Sequence, residues 1–391
     1  MATIGIDATA LSAPASGGIG VSQYQTMRAL AATCTSHRFV LYAARAPVVP
    51  FSDRPLDLPW EVRLGSGLLA SSNIAWMQTG VNRLLADDRV EVFWGPRHLL
   101  PFRASGVAKV ATVHDFWDRY YPEQQPWVNR HVNRRLIAKV ISEADVVVTP
   151  SEATARDVTR FIGSVRGEVR VIPWGVDPGA FRPLPEEQIA AVLSRLGVSR
   201  PFILSLDVFN PRKNFVAVLD GVARLPEEPR RSLTVVGVGG PRKTATGTAV
   251  QARADVLGLG ERLRLVGDVR PDDLAALYSG ALALVHPSVY EGFGMPVLEA
   301  MASGCPVVTA SRSSLPEIAG GAALLVDPTD PAELARAITL VAADEGERAR
   351  LVSAGLVRAA DFTWRRTAEE MVAAFERALV IRSAMAARRA S

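Results

Sequence analysis

The sequence predicts an α/β protein made of two doubly wound parallel-sheet domains. Three observations carry that reading. Short apolar runs recur along the chain, separated by stretches of helical spacing, and strand–helix alternation of this kind builds parallel sheets. The runs are continuous in apolar character rather than alternating, as strands buried on both faces are. The series is interrupted once, where Pro178, Pro183 and Pro185 cluster, and a proline-rich break marks a domain boundary. A chain of 391 residues is long enough for two such domains.

The elements can be placed in order. In the first half, strands are expected at 3–6, 38–42, 90–94, 107–113, 146–149 and 169–172. In the second half they are expected at 202–206, 233–237, 263–267, 282–286, 306–309 and 323–326. The domains are therefore placed at 1–178 and 200–363, with a linker at 179–199. The segment 364–391 follows. Ala368, Met371, Val372, Phe375 and Leu379 fall at helical spacing within it. Arg377, Arg382, Arg388 and Arg389 come with no acid among them and are expected to form a frayed basic end.

Composition narrows the function. The formal net charge of +4 is modest and gives no footprint for nucleic acid. Cys34 and Cys305 lie far apart, so neither a disulfide framework nor a metal-binding spacing arises, which suits a reducing cytoplasm. No apolar run reaches about 18 residues, the length a transmembrane helix needs. The N-terminus has no basic region before an apolar core, so residues 3–6 read as a strand rather than a signal peptide. Arg130, His131, Arg134, Arg135 and Lys139 precede the first acid, Glu143. They read as a solvated helix face, or as a contact for a membrane surface, at the inner face, or for a pyrophosphate lipid.

The most informative stretch is Glu291-Gly-Phe-Gly-Met-Pro-Val-Leu-Glu299. A buried strand precedes it, Pro296 suits a first helical position and Gly304 suits the helix end. The unit is thus strand, glycine loop, helix. Ligands of open α/β sheets bind at the carboxyl ends of strands, beside helix N-termini. Gly292 and Gly294 let backbone N–H groups approach a ligand, and the helix dipole favours an anion there. The two carboxylates are poor phosphate ligands but good acceptors for sugar and ribose hydroxyls. The unit is suited to a molecule carrying both phosphate and sugar.

Further segments join this one: Asn210-Pro-Arg-Lys-Asn214, His286-Pro-Ser-Val-Tyr-Glu-Gly-Phe-Gly294, Ser313-Ser-Leu-Pro-Glu317 and Leu325-Val-Asp-Pro328. In the first half stand Gly17-Gly-Ile-Gly20, Val113-His-Asp115, Pro150-Ser151 and Val171-Ile-Pro-Trp-Gly-Val-Asp177. In this order and spacing the chain resembles the retaining glycosyltransferases of family four, group 1, which have the GT-B fold. The resemblance covers nearly the whole chain and implies two Rossmann-like domains facing a central cleft, the first binding the acceptor and the second a nucleotide-sugar. It also implies that the last helix returns to the first domain.

The resemblance assigns roles. Glu291 would accept from donor-sugar hydroxyls and Glu299 from the ribose. Gly292, Phe293, Gly294 and Met295 would offer backbone N–H groups to sugar and pyrophosphate. Lys213 matches the family's phosphate lysine. The arginine many members carry about five residues earlier falls near Val208 and is missing, so Arg212 either replaces it or points to solvent. His114 would bond the donor sugar or help move a proton from the acceptor hydroxyl. Asp115 would orient it or form a turn. Gly17, Gly18 and Gly20, ahead of a helix expected near Ser22, resemble the loop facing the donor phosphate. Ser151, Trp174, Tyr290 and His286 read equally well as structural residues.

No Asp-x-Asp occurs, so cations and a helix N-terminus are expected to replace a divalent metal, and no cofactor is expected. A glycosidase also uses two carboxylates but sets them across the scissile bond, whereas Glu291 and Glu299 share one loop–helix unit. A dehydrogenase would need a fuller fingerprint than Gly237-Val-Gly-Gly240. A binding module without catalysis would tolerate damage to the main motif, which is intact. The Pro211-Arg-Lys-Asn214 segment resembles mannosyltransferases of surface polysaccharides, so the expected donor is GDP-mannose, with UDP-glucose second. The acceptor would be a glycan or lipid-linked glycan. The base is expected near Val238, Asp268 and Val269.

Overall fold

The computed structural model describes residues 1–12, 17–65, 72–124, 127–240 and 245–390. The chain divides into two units, Met1–Gly175 with Trp364–Ser391, and Val176–Thr363.

The first unit holds seven strands: β1 (Thr3–Asp7), β2 (Arg38–Ala43), β3 (Glu61–Leu64), β4 (Val92–Gly95), β5 (Ala108–Thr112), β6 (Val146–Thr149) and β7 (Glu168–Val171). They pair in parallel in the order β3-β2-β1-β4-β5-β6-β7. Six of them fall on expected apolar runs. β3 does not, because Glu-Val-Arg-Leu has no apolar run and lies largely exposed at the sheet edge. The order reverses between β1 and β4, where Ile4 pairs with Val92, and this crevice is a topological switch point.

Helices cover both faces of this sheet. The helix α1 (Gly18–Thr33) begins earlier than expected, so Gly18 and Gly20 lie in its first turn. A helix, α2 (Trp127–Glu143), carries the basic segment. Its charge is partly engaged within the unit: Arg134 Nη2 donates to the Asp118 carbonyl at 2.8 Å, and Lys139 Nζ lies 4.5 Å from the Phe102 ring centre. Another, α3 (Glu152–Ile162), starts at Ser151, whose hydroxyl accepts from Thr154 N.

The C-terminal helix, Trp364–Ala390, belongs to this unit. Ala368, Met371, Ala374, Phe375 and Ala378 are buried against α1 and the sheet, and Phe375 packs on Trp94 with ring centres 5.9 Å apart. The expected fraying is not seen at Arg377 and Arg382, and the Arg389 side chain lies outside the described residues. Arg377 Nε meets Glu168 at 2.7 Å, and Arg382 donates to the Val107 carbonyl and pairs with Asp145 at 3.4 Å. Asp145 is fully buried, accepts from Lys109 N at 2.8 Å and also lies near Arg166. The helix is thus pinned along one face by apolar packing and at its far end by charge.

The second unit has six parallel strands, all on expected runs: β8 (Phe202–Leu206), β9 (Thr234–Val238), β10 (Leu263–Gly267), β11 (Ala283–His286), β12 (Val307–Ala310) and β13 (Leu324–Val326). Their order is β10-β9-β8-β11-β12-β13, with the switch point between β8 and β11. The stretch 179–199, expected to be a linker, contains α4 (Glu186–Leu196), which packs on α6 (Pro271–Gly280). Ile189 and Leu193 give α4 a buried side, and Gly197 ends it in the left-handed conformation. Beyond β8 comes α5 (Phe215–Val222), and beyond β11 comes α7 (Met295–Ala302).

Candidate functional site

In the second unit the site forms at the carboxyl ends of β8 and β11, which flank the switch point. After β8, Asn210 caps a short turn over Pro211–Lys213 by accepting from Arg212 N at 3.2 Å. Asn214 then takes a left-handed backbone, with φ of 56°, which asparagine tolerates better than most residues. This turn directs Lys213 inward, where its Nζ lies 2.6 Å from Glu291 Oε1 and both side chains are buried. Arg212 Nη2 lies 3.8 Å from Glu291 Oε2. The Arg212 side chain therefore turns to the acid rather than to solvent. Val208 occupies the place of the missing upstream arginine and is part of the apolar core.

After β11, the loop carrying Glu291 is fixed by serine hydroxyls. Glu291 N donates to Ser313 Oγ at 2.8 Å, while Ser314 Oγ donates to the carbonyls of Glu291 and Phe293 at 2.9 and 2.7 Å. Ser288 Oγ reaches the Arg212 carbonyl at 3.0 Å and ties the two loops together. Gly294 sits at φ 113°, and a Cβ there would meet Leu315 Cδ2 at 2.9 Å, so the position suits only glycine. The first amides of α7 follow directly at Met295, with Pro296 in the opening turn. Phe293 directs its ring into the core, edge-on to Phe362, so only its backbone is available to a ligand.

The electrostatics follow from this packing. Burial alone would raise the Glu291 carboxyl, but Lys213 and then Arg212 overcome it and hold the group well below the usual carboxylate range. His286 Nε2 lies 3.1 Å from Glu291 Oε1, and burial keeps this imidazole low in pKa, hence neutral. Glu299 behaves oppositely. Burial pushes it up to about 7, against the pull of the Tyr278 hydroxyl at 3.1 Å and of Lys213. Lys213, Arg212, Glu291, Gly292, Phe293, Gly294, Met295 and Glu299 are thus brought onto one end of one sheet. Val269 follows β10 at the outer edge of this sheet, half-buried, beside the exposed Asp268. Gly240 is near the Asp268 carboxylate, 3.6 Å from where its Cβ would stand.

In the first unit, His114 follows β5 and is nearly fully buried. Its Nε2 lies 2.5 Å from the Pro96 carbonyl. Because a carbonyl only accepts, Nε2 carries the proton and Nδ1 keeps a lone pair. The ring is held between His98, stacked at 5.6 Å and 17°, and Trp174 at 5.3 Å. Burial lowers the pKa of His114 and drives that of His98 down to about 3, so both rings are neutral. His98 has φ of 49°, an unusual backbone that clusters at functional sites. Asp115 accepts from Trp117 N at 3.1 Å in a turn. Gly17 and Gly18 open α1, and among the described residues a Cβ on either would meet nothing within 4 Å. The residues 13–16 before it lie outside the described residues.

Sequence reasoning passed over His98, Tyr278 and Asp7, and set His286 aside as a packing residue. His98 had a legible signal, since Gly95-Pro-Arg-His98 directly follows a buried strand. Asp7 ends β1, is buried, and is raised to about 6 by that burial. Among the described residues no group of three His, Cys, Asp or Glu could hold a metal ion.

Two parallel sheets, each with glycines and chemically active side chains at its switch-point end, define a doubly wound α/β protein of the kind that binds phosphorylated ligands. Residues 194–357 match the family Glycosyl transferases group 1, and residues 16–180 match Glycosyltransferase Family 4. The chain belongs to this family of glycosyltransferases. It is 27% identical to the O-antigen chain mannosyltransferase B of Escherichia coli over 75% of this chain and 76% of that protein. It is 30% identical to the MMP alpha-(1->4)-mannosyltransferase of Mycolicibacterium hassiacum over 72% of this chain and 68% of that protein. Among solved structures, Anabaena HepE in complex with UDP and glucose matches with a TM-score of 0.77 at 19% identity, covering 96% of this chain and 100% of that one. This likeness carries the fold, which is GT-B. No described helix is long and apolar enough to cross a membrane.

Proposed function

We propose that the chain transfers mannose from GDP-mannose, with retention at the anomeric carbon, to a glycan or lipid-linked glycan. The observation that carries this reading is the buried Lys213–Glu291 contact beside the Gly294 turn and the amides of α7. One cation and a helix N-terminus suit a diphosphate. Two differently tuned acids suit hydroxyls: Glu291 stays ionised, while Glu299 titrates near neutrality.

In this reading Lys213, Arg212 and the amides of Gly294 and Met295 stabilise charge on the departing diphosphate. Glu291 accepts from the sugar hydroxyls and Glu299 from the ribose, while Val269 borders the base. The anomeric C–O bond to the diphosphate breaks, the acceptor oxygen bonds to that carbon, and the acceptor's proton passes to the leaving diphosphate oxygen. His114, neutral with a free lone pair at Nδ1, serves a hydroxyl of the sugar or acceptor. The glycines Gly18 and Gly20 in the first turn of α1 serve the donor phosphate. No metal takes part, and nucleic acid is not a partner.

The mannosyl preference rests on the Pro211-Arg-Lys-Asn214 segment and on the two mannosyltransferases to which the chain is similar. The test is a donor screen with the purified protein, scoring nucleoside diphosphate release. Release of GDP from GDP-mannose with acceptor present is the expected result. Release from UDP-glucose alone would replace the donor and keep the transferase, and release from no nucleotide-sugar would remove the reading.

A further inference from the structure

Behind His114 lies a small chamber within the first unit. It is bounded by α1, by β4, β5 and β6, by the segment that follows β7, and by the C-terminal helix. Its volume is about 10 Å³, room for one water. Most hydroxyls around it are already engaged. Thr26 donates to the Ser22 carbonyl, Ser22 to the Ile19 carbonyl, and Thr367 to the Pro173 carbonyl. The Trp94 indole N–H donates to Thr112 Oγ1 at 2.9 Å.

Two buried acceptors on the chamber wall differ from these. Gln23 Nε2 donates to the Asp7 carbonyl at 2.6 Å, which fixes the amide so that Oε1 is its other end. His114 Nε2 is committed to Pro96, which leaves Nδ1 as an acceptor. Among the described residues no donor reaches Gln23 Oε1 or His114 Nδ1. Both side chains are at least nine-tenths buried, at 2% and 5% exposure. A buried acceptor left without a donor is destabilising. A single water has two O–H donors, and it fits the volume.

We propose that this chamber holds one ordered water that donates to both Gln23 Oε1 and His114 Nδ1, making Gln23 a positioning residue for His114. The water fixes the imidazole in its Nε2–H tautomer and holds the Nδ1 lone pair in one direction. The kinetic part of the proposal rests on the reading that His114 serves the transfer, and the structural part does not.

The test uses the full chain. A crystal structure at a resolution that shows ordered water is expected to place density within hydrogen-bond distance of both atoms. A dry chamber would overturn the proposal. In protein labelled with 15N-histidine, the His114 signals, assigned by their loss in His114→Gln, are expected to show a proton on Nε2 and a hydrogen-bonded Nδ1. Gln23→Met keeps the length and removes the acceptor; it is expected to shift the Nδ1 signal and lower kcat about tenfold with the donor KM unchanged. An unshifted His114 signal in Gln23→Met would overturn the positioning role. Density and 15N signals as expected in a protein with no transferase activity would sink the transferase reading alone.

Discussion

Lys213 Nζ and Glu291 Oε1 meet at 2.6 Å with both side chains buried. They come from loops 78 residues apart in sequence, brought together because β8 and β11 are neighbours at the switch point. The carboxylate stands where an incoming anion would find the ammonium. On the proposed reading, a donor that places its diphosphate on Lys213 would exchange one buried anion for another and free Glu291 for a hydroxyl.

Glu291→Gln and Lys213→Ala are each expected to lower transfer by about 10²-fold or more. The two differ in stability. Removing the lysine leaves a buried carboxylate with Arg212 as its remaining cation, at a cost of about 3 kcal/mol or more. Combining both changes is expected to recover part of that loss, read as urea midpoints and checked for fold by circular dichroism. Near-normal turnover in either single variant would count against the assignment.

Glu299 predicts a pH effect of defined sign. Its folded carboxyl titrates near 7, above the ordinary value of 4.5. Between these values the folded chain holds a proton that the unfolded chain has released. This contribution is fully present below about 4.5 and is lost as pH rises through 7. Glu299→Gln is therefore expected to be more stable than the parent at pH 8, by on the order of 1 kcal/mol or more, and similar to it at pH 4.5. Equal midpoints at pH 8 would contradict the burial effect.

Transfer is expected to proceed unchanged in EDTA, because the chain has no Asp-x-Asp and Lys213 with the α7 amides would carry the leaving-group charge. Activity lost to EDTA and restored by magnesium or manganese would refute this.

Calorimetric titration should show GDP binding more tightly than UDP. Asp268, exposed after β10, is a carboxylate able to accept from the guanine N1–H and N2–H₂ edge. UDP tighter by more than about 1.4 kcal/mol, a tenfold preference, would overturn the guanine assignment and leave the transferase intact.

Asp145→Ala should destabilise the first unit by about 3 kcal/mol or more, because Arg166 and Arg382 lose a shared buried counter-charge and the Lys109 backbone N–H loses its acceptor. The measurement is the urea midpoint. A change under about 0.5 kcal/mol, the range of ordinary surface substitutions, would show that the charge end of the C-terminal helix carries little.

The strands were legible where burial on both faces made them continuous apolar runs, which is why all six of the second sheet were found. β3 was not, since an edge strand with polar exposed residues carries no such run. Glu291, Lys213 and Glu299 were legible because strand, glycine and helix signals surround them. His98 left one local signal, its place just after a buried strand, but its ring stack with His114 across 16 residues of sequence leaves no periodic trace. The role of His286 was hidden for a similar reason. A buried histidine at a strand end reads as packing until the loop folds Glu291 back onto it.

The ordering of the C-terminal helix has a consequence for synthesis. Phe375 and Met371 complete the first unit's core, yet they follow Val176–Thr363, the whole of the second unit. A ribosome adding roughly 5–20 residues per second takes about 10–40 s to cross that stretch. During that interval the second unit can close, while the nascent first unit presents the uncovered Trp94 side of its sheet to solvent. The newborn chain therefore passes through a stage with one finished body and one open wound, the stage at which a chaperone has an apolar surface to hold.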